Sequence, residues 1–114
     1  MAKPLLIDIW PAIAAELQAG LRAAHREELA DNVHNLRVQA VCSCEETFCQ
    51  SIYLASPRPL VDPTHVQTIE LSSGMLLDTI SGQAYFLEIL DHDELVESFN
   101  ELVNSVGDDA ALFA

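Results

Sequence analysis

The hydrophobic period of this chain changes once, near Arg37, and that change limits its folds more than any other feature. Up to that point Ile13, Leu17, Leu21, Ala24, Leu29, Val33 and Leu36 recur at the three- and four-residue spacing of an amphipathic helix. Pro11 suits a first helical turn, so the spacing predicts a helix from Pro11 to Leu29, extendable to Asn32. Gly20 in its middle costs about 1 kcal/mol relative to Ala. It therefore either admits close packing or marks a break.

From Val38 onward the period is two, and β-compatible segments follow one another at 38–44, 48–55, 66–72, 75–80 and 84–90. Ser81-Gly82 is a two-residue hairpin signal, and Ser73-Gly74 offers a turn just upstream, so the last three strands are predicted to be sequential neighbours. Pro57, Pro59 and Pro63 mark an irregular connection between the second and third strands. The chain then passes through Asp91-His92-Asp93-Glu94 into Leu95, Phe99, Leu102, Val103 and Val106, an amphipathic helix with Gly107 as its C-terminal cap. The predicted class is α+β: an N-terminal helix, a mostly antiparallel five-stranded meander sheet and a C-terminal helix, with both helices on one sheet face. The 114 residues suit a single domain spanning 1–114, with 108–114 a frayed tail. No apolar run approaches the length of ~18 residues that a membrane helix needs, and Asp8 interrupts any signal-peptide core. A cytoplasmic location with no membrane association is expected.

Charge is the most unusual part of the composition. The chain carries 18 acidic and 5 basic residues, a formal net charge of −13. All five basic residues, Lys3, Arg22, Arg26, Arg37 and Arg58, lie in the first 58 positions beside 7 acidic ones; the remainder holds 11 acidic residues and no basic one. A field of that sign repels phosphates and anionic lipid, which argues against nucleic-acid partners and attracts a basic protein or a cation. It also serves solubility alone.

Cys42, Cys44 and Cys49 form a C-x-C-x₄-C cluster. It reads as a zinc site if His25, His34, His65 or His92 completes a Cys₃His set, or as redox-active thiols, or as three small buried hydrophobes. Hairpin register separates these. A loop of Glu45-Glu46-Thr47 sets Cys44 opposite Phe48 and gathers Val38, Ala40, Cys42, Cys44, Ile52 and Leu54 on one apolar face. A loop running from Glu45 to Phe48 sets Cys44 opposite Cys49 and makes the sulfurs converge. Binary patterning favours the first register, with Cys42 and Cys44 in the core.

Other chemistry is sparse. Asp91, His92, Asp93 and Glu94 match a hard-cation ligand set, but they also match the acidic start of a helix. Glu70, Asp78 and Glu88 fall on predicted strands, where two could meet as a general acid/base pair; alternation turns Asp78 toward solvent. No nucleophile elbow, glycine-rich phosphate loop or HExxH occurs, so the reading leans away from an enzyme.

The segment from Arg37 through Val-Gln-Ala-Val to Cys42-Ser-Cys44, with Cys49, and the segment from Gly74 through Gly82 to Leu87-Glu88-Ile89 together resemble a loose group of small uncharacterised bacterial proteins. These have a Cys-rich strand and a later strand-turn-strand ending in Leu-Glu-aliphatic. The resemblance spans residues 37–90 and implies an α+β fold and a bacterial source, with no activity attached. The functional expectation is a non-enzymatic interaction protein of the immunity or inhibitor type that binds a basic partner through Asp91, Asp93, Glu94, Glu97 and Glu101. The alternative is a small zinc-binding or thiol-active protein using Cys42, Cys44 and Cys49.

Overall fold

The computed structural model describes residues 3–42, 49–54, 66–71, 75–80, 82–90 and 92–107. Helices α1 (Leu6–Ile9), α2 (Pro11–Ala23) and α3 (Glu27–Asp31) and a 3₁₀ turn (Val33–Asn35) precede the sheet. Its strands are β1 (Ala40–Val41), β2 (Ile52–Tyr53), β3 (Val66–Glu70), β4 (Leu76–Ile80) and β5 (Gln83–Glu88). A 3₁₀ turn (Asp93–Leu95) then leads into α4 (Val96–Val106). The class is α+β with an antiparallel five-stranded sheet.

The expected N-terminal helix is interrupted, though not at Gly20. α2 buries Ile13, Ala14, Leu17, Gly20 and Leu21 along one stripe. A β-carbon at Gly20 would sit 2.9 Å from Leu71 Cδ2, so the glycine admits the chain leaving β3 against the helix. The break comes at His25, whose φ is 61°. The Arg26 N–H donates to Leu21 O (2.8 Å) and the His25 N–H to Arg22 O (3.1 Å), the paired bonds of a Schellman motif. Histidine occupies the left-handed position that usually holds glycine, which is why no breaker residue announced the turn. Arg22 donates to Glu27 and to Asp31 (3.0 Å) and ties α3 back against α2. Those two carboxylates, Asp31 first, raise its already high pKa.

The strand order is β1-β2-β5-β4-β3. The last three strands are sequential neighbours as expected, and Ile80 pairs with Gln83 across Ser81-Gly82, where Gly82 takes φ 82°. The sheet is not one continuous meander, because the chain crosses from β2 to the far edge before β3, and β5 returns to pair with β2. Two rows of directly opposed residues show its two faces. Val41, Ile52, Leu87, Leu77 and Ile69 are all buried and join Leu17, Leu21, Leu102 and Val106 in one core, which puts the N- and C-terminal helices on the same face. Each such aliphatic side chain contributes about 1.5–3 kcal/mol. In the adjacent row Ala40, Tyr53, Phe86, Asp78 and Thr68 grade from buried at β1 to exposed at β3.

The β1–β2 register corrects the sequence reading. Ala40 lies opposite Tyr53 and Val41 opposite Ile52, and the Cys42 N–H donates to Ser51 O (3.0 Å). This is the pairing of the four-residue loop, not of the three-residue loop that patterning favours. Cys42 accordingly shares a face with Ser51 and Tyr53, and Val41 occupies the core face with Ile52. Pattern alone misled because Val41, and not Ala40 or Cys42, joins Ile52 on the core face, where its N–H meets Gly107 O at the end of α4, a contact no local pattern contains. Cys44 and residues 45–48 lie outside the described residues.

The acidic helix, its cleft and the cysteine strand

α4 leans on β1. Leu102 and Val106 are buried, Phe99 and Val103 pack partly against the core, and Gly107 O accepts the Val41 N–H (3.0 Å) that faces away from β2. Gly107 ends the helix at φ 81°, and its own N–H donates to Val103 O (2.9 Å), as the C-terminal cap expectation requires. At the other end Asp93 and Glu94 occupy the 3₁₀ turn and Glu97 the first turn of α4, where carboxylates complement the helix dipole. None of them caps the turn through its side chain: His92 stands at the cap position, and Asp91 lies outside the described residues.

Glu94, Glu97 and Glu101 recur at i, i+3 and i+7 and, with Asp93, are exposed. Glu94 has His92 Nδ1 3.5 Å away. Among the described residues no Lys or Arg forms an ion pair with any of these carboxylates. The described basic side chains are engaged elsewhere: Arg22 with Glu27 and Asp31, Arg26 with Gln67 Oε1 (3.1 Å), Arg37 with Lys3 O, and Lys3 with Val106 O at the end of the helix (3.3 Å).

Beside this acidic face opens a cleft of about 270 Å³, bounded by Pro4, Ile9, Trp10, Ser98, Glu101 and Leu102. It arises because Trp10, which caps both α1 and α2, turns its indole N–H to Ser98 Oγ (2.8 Å) and holds α4 at that distance. Pro4, Ile9, Trp10 and Leu102 give it apolar surface, and Ser98, Ser105 and Glu101 give it polar surface. Sequence reasoning gave Trp10 no role; the one signal was its being the only tryptophan, next to Pro11. A larger groove of about 990 Å³ opens between the α2–α3 turn and the β4–β5 hairpin, where Arg26, Glu27, Glu28 and Asp31 mix both signs of charge.

The cysteine strand is held by ordinary hydrogen bonding. Ser51, 1 % exposed, accepts the Ile89 N–H (2.9 Å) on its hydroxyl, and the Cys49 thiol donates to that same oxygen (3.3 Å). Cys49 is buried opposite Leu90, and Cys42 is half-buried. The buried Gln50 accepts the His92 N–H on Oε1 (3.0 Å), so His92 sits beside this strand, with its Nε2 buried and unpaired. Among the described residues no three His, Cys, Asp or Glu side chains gather as a metal site. His25 and His34 are exposed on the helical side, and His65 lies outside the described residues. Of the strand carboxylates, Glu70 is exposed, Glu88 half-buried, and Asp78 half-buried and accepting from Thr68 Oγ1 (2.7 Å). No described helix is long and apolar enough to cross a membrane.

Comparison with known proteins finds no matching family model, no similar curated protein and no similar solved structure.

Proposed function

We propose that this chain is a non-catalytic interaction protein, of the immunity or inhibitor type, whose α4 face receives a basic protein partner. The observation that carries this reading is a cleft that combines apolar surface with a carboxylate: Ile9, Trp10 and Leu102 beside Glu101, on the same helix as the exposed Glu97 and next to the exposed Glu94. A lysine or arginine buries an apolar stem and keeps a charged head in water, and that division matches apolar surface and carboxylate. Aromatic and arginine anchors seated in such pockets carry most of the affinity of a typical interface. Exposed carboxylates that no lysine or arginine among the described residues pairs with raise the encounter rate with a cationic surface.

The test is retention of proteins from a lysate of the native host on the immobilised chain, at about 50 mM and about 500 mM salt. A basic protein should be held at low salt, released at high salt, and bound about tenfold more weakly by the Glu97→Gln/Glu101→Gln variant. Retention indifferent both to salt and to these substitutions removes the reading.

A further inference from the structure

The two edges of the sheet are treated differently. At β1 the outward Val41 N–H is taken by Gly107 O, and the strand leading into β1 is covered by the N-terminal segment, with Val38 N–H donating to Pro4 O (2.9 Å) and Leu5 bridged to Arg37. At β3 no such cover exists among the described residues. Leu71 N–H donates to Met75 O (2.9 Å), and Gln67 O accepts from Thr79 Oγ1 (3.3 Å), so Gln67, Ile69 and Leu71 direct their backbone groups toward β4. By alternation Val66, Thr68 and Glu70 direct theirs outward. The strand has no proline, no lysine and no bulge in its pairing with β4, and Glu70 is its one charged side chain. Val66 adds an aliphatic side chain that is 38 % exposed.

We propose that this edge pairs with the β3 edge of a second copy of the chain, antiparallel and two-fold about Thr68. That axis sets Thr68 against Thr68 and Val66 against Glu70 of the second copy, and these are the residues whose N–H and C=O groups point outward. Gln67 then faces Ile69 of the second copy on the other side of the ladder. No carboxylate meets a carboxylate directly, and the two Glu70 side chains stand four residues apart along the ladder, about 13 Å, beyond the screening length of ~8 Å in physiological salt. α4 packs on β1 at the opposite edge, so Glu97 and Glu101 lie away from the two-fold axis. The chemistry is strand addition, in which main-chain hydrogen bonds supply the affinity. A five-residue strand buries less than the ~1,200 Å² of a stable interface, so the dimer is weak and reversible.

The assignment stands apart from the acidic-face reading, and salt separates the two. A net charge of −13 on each copy opposes association, so added salt strengthens this contact, whereas it weakens a contact with a basic partner. Sedimentation of the intact protein from about 10 to about 500 µM should show a monomer–dimer equilibrium that tightens several-fold between low and high salt. Thr68→Pro, which removes an outward N–H and no backbone bond to β4, should weaken it by about tenfold or more, and Thr68→Val, which loses the same side-chain bond to Asp78 but keeps the N–H, should not. In the unsubstituted protein, amide exchange at Val66, Thr68 and Glu70 should slow with concentration, while that at Gln67 and Ile69 stays constant. A monomer throughout, an association that Thr68→Pro leaves intact in folded protein, or exchange at these three amides independent of concentration overturns the proposal.

Discussion

His25 holds a left-handed backbone conformation at φ 61° and is exposed, so its side chain gains little from the position. For a residue with a β-carbon that conformation costs about 1–2 kcal/mol. His25→Gly should therefore stabilise the protein by about 1 kcal/mol, read as a higher urea midpoint with an unchanged slope. An unchanged or lower midpoint would mean that the imidazole offsets the strain. Gly20 is the converse case. Its tolerance comes from the approach of Leu71, a residue 51 positions away, so its purpose could not be read from the helix it interrupts. Trp10 was silent for the same reason: its indole bond to Ser98 joins parts of the chain 88 residues apart.

α4 was the most legible element, because its apolar period, acidic first turn and terminal Gly107 are all local signals that agree. It also carries a cost. Glu97 and Glu101 are like charges at i and i+4, a spacing that destabilises a helix by about 0.2–0.5 kcal/mol. Glu101→Lys reverses that pair into a favourable one and should stabilise the fold by roughly 0.5 kcal/mol in low salt, while weakening capture of a basic protein. Stability falling with Glu101→Lys would show instead that the carboxylate supports the cleft. The β1–β2 hairpin was the least legible element. Its apolar and polar residues sort well in the wrong register, and the observed one sets Val41 on the core face beside Ile52 and against Gly107 O at the end of α4.

The whole molecule carries its charge unevenly. Eleven of its carboxylates belong to the half without a basic residue, the half that supplies β3, β4, β5 and α4. Self-repulsion of that size opposes the compact state, and screening relieves it. The melting temperature of dilute protein should rise by several degrees between about 20 mM and about 500 mM sodium chloride, since ~1 kcal/mol corresponds to roughly 4 °C or more at this size. A melting temperature that falls over this range would show that attractive pairs such as Arg22 with Glu27 and Asp31 outweigh the repulsion. The strand order β1-β2-β5-β4-β3 gives this charge its geometry, placing α4 by one edge and β3 at the other.

Amino-acid order alone determined the types of α2, α4 and the five strands, the close pairing of β4 with β5, the end of α4 at Gly107 and the polarity of charge along the chain. These rest on the backbone preferences of a few adjacent residues or on a period of two or 3.6, and neither needs a partner. Tertiary structure decided the register of β1 on β2, the return of β5 to β2, the turn at His25, the use of Gly20 and the cleft under Trp10. Each of these depends on which surfaces meet across tens of residues, and the free energy that selects them is that of burial and complementarity between elements, absent from any one segment.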